Sequence, residues 1–189
     1  MNIIEYLKNI DTSIFKFIHI NMSNAVFDAI MPLVRIPYFW APVYLFLLVF
    51  MWNKYKYQGL KWCLFFFITF SFCDFISASI IKKWVMRVRP CNDESLQYII
   101  RKLVGCGSGF SFPSSHAANH FGLSFFMIFT LKHKYKYIAY YTIAWAVLVC
   151  FAQVYVGVHY PFDILGGALL GFIIAKFVAN YFHTKVNLD

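Results

Sequence analysis

Residues 36–52 and 137–158 contain no charged side chain, and 162–182 carries only Asp163 and Lys176. Two further apolar runs, 62–81 with the single acid Asp74 and 117–131, complete the series. A helix needs about 20 apolar residues to cross a bilayer core, and most of these runs are near that length. Lipid offers no partner to backbone N–H and C=O groups, so the runs must be helical. A soluble domain would carry about 25% charged residues, whereas this chain of 189 residues has 13%, with 61% hydrophobic. The expectation is an all-α integral membrane protein, a single domain over 1–189 with about five transmembrane helices. The run 117–131 is short, and reaches a spanning length only by extending into "SSHAAN".

The N-terminal stretch from Ile10 to Val34 mixes apolar and polar residues too evenly to span. Ile14, Phe15 and Ile18 fall on one helical face, which predicts an amphipathic helix lying in the interface, followed by a bend at Pro32 and Pro37. "MNIIEYLKNIDTSIF" lacks the basic start, apolar core and small-residue cleavage site of a signal peptide. The net charge of +9 is scattered in short clusters between apolar runs, the distribution of helix-flanking charges. It is not the single stripe that nucleic acid would require. Lys54, Lys56, Lys61, Lys132, Lys134, Lys136 and Lys185 fall on one predicted face, which the positive-inside rule makes cytoplasmic. The other face receives the loop 82–116 and His159.

Three segments reach that second face. "KKWVMRVRP" brings Lys82, Arg87 and Arg89, "SFPSSHAANH" brings Ser114, Ser115 and His116, and "QVYVGVHYPFD" brings Gln153, His159 and Asp163. Lys82 and Arg89 can neutralise a phosphoryl dianion, Arg in a bidentate fork. Ser114 and Ser115 stand where a helix begins, so free N–H groups and the positive dipole end can face an anion. A histidine held at one ring nitrogen by an acid can attack phosphorus with the other. Asp163 follows Pro161, a favoured first-turn residue, and can reach back to His159. His116 can protonate the leaving oxygen.

Together the segments resemble the signature of the type 2 phosphatidic acid phosphatase superfamily, to which vanadium haloperoxidases are also related. The family pattern runs K-x6-R-P, P-S-G-H and S-R-x5-H-x3-D. Lys82, Arg89 and Pro90 match the first; Pro113, Ser114 and His116 the second; His159 and Asp163 the third. The resemblance implies that His159 forms a phosphohistidine, Asp163 orients it and His116 is the general acid. It also implies that Lys82, Arg89 and Ser114 hold the phosphate without metal or cofactor. The implied substrate is a lipid phosphate or diphosphate, at the outer side of a bacterial cytoplasmic membrane. Undecaprenyl diphosphate is the first choice; phosphatidylglycerophosphate, phosphatidate and lipid A phosphates are rivals.

The chain departs from the pattern at Ser115, which replaces glycine, and at Gln153, which replaces a phosphate-binding arginine. The second departure removes a cation, and admits a catalytically weakened lipid-binding protein as the alternative. Arg87 is the leading residue to supply the missing charge, with Lys83 and Arg101 behind it. Asp74, costly inside a span, is read as structural support paired with a basic loop residue. Cys91 and Cys106 lie in one polar loop, and a disulfide is expected there if the loop faces an oxidising compartment. Gly167 and Gly171 are expected to let two helices approach closely.

Overall fold

In the computed structural model, which describes residues 2–188, every regular element is helical. The main helices are α1 (Ile3–Lys16), α2 (Ala25–Val34), α3 (Ala41–Asp74), α4 (Lys82–Val85), α5 (Ser115–Leu131), α6 (Ile138–Tyr155) and α7 (Pro161–Lys185). The segments Pro37–Val85, Ile138–Tyr155 and Pro161–Lys185 are long and apolar enough to cross a membrane. The first of them is a hairpin. Its backbone breaks at Lys56, at φ 51° and ψ −126°, and Gly59 comes so close to the Met51 carbonyl that no Cβ could fit between them. The limbs 41–55 and 57–74 therefore run antiparallel. The second limb continues through a widened helical stretch, Phe75–Ile81, into α4.

Helix α5 is the centre of the bundle. Ala117, Ala118, Leu123, Phe126 and Leu131 are buried, and so are the polar Asn119, His120, Ser124 and Thr130. That position explains its shortness and mixed composition. A helix ringed by others need not present an apolar surface to lipid, and can carry polar residues that bond across helices. Trp62 Nε1 donates to Thr130 Oγ1 at 2.8 Å, and Ser124 Oγ donates to the Thr142 carbonyl at 2.8 Å. Between helices in lipid, tight packing and such bonds replace the hydrophobic drive. Helix α7 crosses α5 closely because Gly167 lies against Ser114 and Ala117, and Gly171 against Ala118 and Gly122. Outward-facing Leu45, Phe46, Phe67, Leu165, Leu169 and Phe177 are all exposed, as a lipid-facing surface requires.

The N-terminal region adds a second helix to the expected amphipathic one. It holds two helices, and the chain bends by 117° between the stretch ending at Asn21 and α2; Pro32 sits inside α2. The pair also does more than lie in an interface. Asp11 of α1 accepts from the Phe162 amide at the start of α7 (2.8 Å) and pairs with Arg87. His19 Nδ1 lies 2.7 Å from the Tyr155 carbonyl, and its Nε2 accepts from the Arg101 amide at 2.9 Å. A nitrogen that accepts carries no proton, so Nδ1 is the protonated one and donates to Tyr155. Val34 and Met31 of α2 pack on Val149 and Ala152 of α6. The bent pair caps the end of the bundle where the three sequence segments meet.

Candidate active site

Pro161 opens α7 at its first position, and Asp163 lies in the first turn. The Asp163 carboxylate folds back: Oδ2 accepts from the Tyr160 amide at 2.8 Å and stands 3.5 Å from His159 Nδ1. At 3.5 Å the imidazole contact is long for a hydrogen bond, yet Nδ1 has no nearer partner. The geometry assigns its proton to the carboxylate side and leaves Nε2 as the free nitrogen. His159 sits beyond Gly157, whose φ of +85° turns the chain out of α6, and the His19 ring lies against that glycine. Both the histidine and the acid are buried.

Asp163 is held on its other oxygen as well. Arg87 Nη1 donates to Oδ1 at 2.8 Å while its Nη2 reaches Asp11 Oδ2 at 2.6 Å. One guanidinium thus bridges two buried carboxylates, and stacks over the Tyr160 ring at 4.1 Å. Buried anions persist only when paired and hydrogen-bonded, and this bridge meets that need. Arg87, expected from sequence as a spare cation for phosphate, is committed to carboxylates.

Ser114 caps α5, with its Oγ accepting from the Ala117 amide at 3.3 Å, and its own amide donates to the Asp163 carbonyl at 3.0 Å. That bond ties the starts of α5 and α7 together. Lys82, Arg89 and Asp163 all act electrostatically on His159, and His159 and Lys82 act on His116. Burial holds the His159 imidazole below its usual pKa; Lys82 and Arg89 push the same way and Asp163 pulls against them. The imidazole is therefore unprotonated at neutral pH, the state a nucleophile needs. Burial also lowers the Arg89 pKa, against the pull of Asp163.

Arg89 is fixed from outside the membrane helices. Its Nη1 donates to the Cys106 carbonyl at 2.7 Å, and Cys106 is disulfide-bonded to Cys91, with Cα atoms 5.8 Å apart. The Cys91 amide in turn donates to the Gly157 carbonyl at 3.0 Å, two residues before His159. Asp74 does not pair with a loop cation; its Oδ1 accepts from Asn119 Nδ2 at 3.0 Å, although it lies within electrostatic range of Lys82. Buried polar atoms without a hydrogen-bond partner include Arg89 Nε, Arg35 Nε, Ser115 Oγ and both amide atoms of Gln153. Such unsatisfied groups are rare in native proteins, and here most belong to residues of the three segments. His116 and His120 stack with ring centroids 6.4 Å apart, and among the described residues no three His, Cys, Asp or Glu side chains gather for a metal.

Asp11, Arg35, His19 and Asp28 escaped the sequence reading. Asp11 carried a signal: it lies four residues before Phe15 and seven before Ile18, an acid on the apolar face of an amphipathic helix. Arg35 carried another, as the only Lys or Arg between Lys16 and Lys54. Arg101, an alternative spare cation, is paired with Asp28 at 2.6 Å and donates from Nε to the His19 carbonyl at 2.9 Å.

Both the sequence and the fold have known relatives. The PAP2 superfamily matches residues 72–187, a range that contains all three segments. A "Lipid A 4'-phosphatase" of Bacteroides thetaiotaomicron is 31% identical over 89% of this chain and 75% of that protein. An "Undecaprenyl-diphosphatase" of Sulfolobus acidocaldarius is 32% identical over 71% of this chain and 59% of that protein. The crystal structure of a transmembrane PAP2 type phosphatidylglycerolphosphate phosphatase from Bacillus subtilis superposes with a TM-score of 0.73. It is 25% identical, and the match covers 97% of this chain and 90% of that one.

Proposed function

The chain belongs to the PAP2 superfamily, and from that premise we propose that it hydrolyses a membrane lipid phosphate or diphosphate through a phosphohistidine at His159. The observation that carries this reading is the continuous line Asp11–Arg87–Asp163–His159. It holds one buried imidazole in a fixed tautomer with Nε2 free, within the field of Lys82 and Arg89.

The chemistry follows from those positions. Lys82, Arg89 and the N–H groups at the start of α5 hold the non-bridging phosphate oxygens and offset the charge that develops on them. His159 Nε2 attacks phosphorus opposite the leaving oxygen. The P–O bond to the leaving group breaks, and His116 gives its proton to the departing oxygen of the lipid alcohol or lipid phosphate. Asp163 steadies the imidazolium as it forms. A water then loses its proton to His116 and attacks the phosphohistidine, which releases inorganic phosphate and restores both histidines. The cations supply the neutralisation that a metal ion supplies in other phosphoryl-transfer enzymes, so the reaction runs without one.

The disulfide Cys91–Cys106 supports a site on the oxidising side of a bacterial cytoplasmic membrane. For the substrate, lipid A 4'-phosphate joins undecaprenyl diphosphate at the front. Relatives named for it in two organisms match 89% and 92% of this chain. The test is phosphate release by the purified protein from lipid A, undecaprenyl diphosphate, phosphatidylglycerophosphate and phosphatidate, each with and without a chelator. Release from at least one lipid, insensitive to chelation and lost in His159→Ala, is expected. No release from any of them by folded protein overturns the enzymatic reading in favour of lipid binding alone.

A further inference from the structure

Gln153 leaves the site one cation short of the superfamily pattern. Arg35 follows the last residue of α2, and its neighbours Met31 and Val34 pack on Val149 and Ala152, the turn of α6 that carries Gln153. Trp40 Nε1 donates to the Val34 carbonyl at 2.7 Å, which fixes the chain on the other side of Arg35. Among the described residues the Arg35 guanidinium has no carboxylate partner, and its Nε is buried without a hydrogen bond. The other arginines near the site differ. Arg87 is divided between Asp11 and Asp163, and Arg101 is held by Asp28.

Arg35 is also in the right company. Arg89 acts on it electrostatically, and it acts in turn on His116. We infer that Arg35 is the third phosphate-binding cation of this site, supplied by the N-terminal cap in the place of the arginine that the superfamily pattern puts at position 153. Burial and the like charge of Arg89 both lower the Arg35 pKa. Placing a dianion among Arg35, Arg89 and Lys82 removes that repulsion, while the guanidinium fork offers paired N–H donors to phosphate oxygens. The neutral Gln153 side chain, fully buried and unpartnered at both amide atoms, then faces the anion as a hydrogen-bond donor only. This inference rests on the phosphoryl-transfer reading for the chemistry of the ligand, and on the position of Arg35 for the residue.

The test moves the charge between the two positions. Affinity for orthovanadate, a mimic of five-coordinate phosphorus, is measured calorimetrically on the full chain in detergent, alongside turnover of the best lipid phosphate. Thermal midpoints monitor folding. Arg35→Ala should weaken vanadate binding and lower kcat/KM at least tenfold, and Arg35→Lys should lose less. Gln153→Arg alone is measured as the reference for that change. In the Arg35→Ala background the same Gln153→Arg change should recover most of the loss in both readouts. Restoration by a charge on another helix is something a purely structural role for Arg35 cannot produce. Wild-type vanadate affinity in Arg35→Ala overturns the inference, and so does a loss that Gln153→Arg leaves unrepaired. If wild-type protein hydrolyses none of the lipids, the vanadate arm still decides for or against Arg35, so the two failures are distinguishable.

Discussion

The two ends of the bundle are both basic, but they handle charge in opposite ways. At the end holding His159, two arginines are tied to acids: Arg87 spans Asp11 and Asp163, and Arg101 pairs with Asp28. At the far end Lys54, Lys61, Lys136 and Lys185 have no described acidic partner, and lie over aromatic rings instead. Lys54 sits 5.0 Å from the Tyr135 ring, Lys61 4.8 Å from Tyr57 and Lys185 5.6 Å from Tyr181. The first end is a buried, mutually fixed network; the second is a fringe of hydrated ammonium groups of the kind that sets membrane orientation. Formal charge alone does not separate the two faces, since Lys82, Lys83, Arg87, Arg89, Arg101 and Lys102 fall on the His159 side. Their surroundings separate them: among the described residues the Arg–Asp ion pairs lie at the His159 end, and the lysines over aromatic rings lie at the far end. We propose on that basis that the far end is cytoplasmic.

The sharpest way to break the comparison is Arg87→Ala. It strands Asp11 and Asp163 as unpaired buried carboxylates, and removing one partner of a buried pair costs about 3–5 kcal/mol. A large fall in denaturation midpoint is expected, together with reduced turnover because Asp163 no longer has a fixed orientation. A variant that stays fully stable and active would show that the network is ornamental.

Next in size is the disulfide. Replacing Cys91 and Cys106 by serine opens a loop of sequence separation 15, worth about 3 kcal/mol in the chain-entropy model, and frees the carbonyl that fixes Arg89. Stability should fall by up to that amount, and turnover should fall with it. Alkylation of both thiols in unreduced, membrane-embedded protein would contradict the oxidising location.

The smallest effect belongs to the lysine fringe. Exposed charges contribute about 0–1 kcal/mol each, so Lys54→Gln, Lys61→Gln and Lys136→Gln together should leave turnover within about twofold. Cysteines placed at Ser95 and Lys136 should react with a membrane-impermeant label from opposite sides, Ser95 from outside. Labelling of Lys136→Cys from outside would invert the orientation.

What the sequence showed and hid divides along contact distance. The His159–Asp163 relation is four residues long and sits at a proline-started helix, so local rules expose it. The glycine pair of α7 is legible for the same reason. Helix α5 was legible only as a weak span, because its central position, which excuses its polar residues, is a property of the whole bundle. Asp11 and Arg35 were invisible as site residues since their partners lie far along the chain; Asp11 meets Arg87 across 76 residues. Arg87 shows the converse error. Its closeness in sequence to Arg89 suggested a shared target, but its carboxylate partners come from α1 and α7.

The central claim is a covalent bond between phosphorus and His159, and it can be observed directly. Purified protein is mixed with a lipid phosphate labelled at phosphorus, quenched in alkali within the first turnover and mapped by mass spectrometry. The account predicts an acid-labile, alkali-stable phosphate on His159 alone, absent from His159→Ala and accumulating when His116→Ala slows its hydrolysis. A phosphate on another residue, or undiminished hydrolysis by His159→Ala, would contradict it.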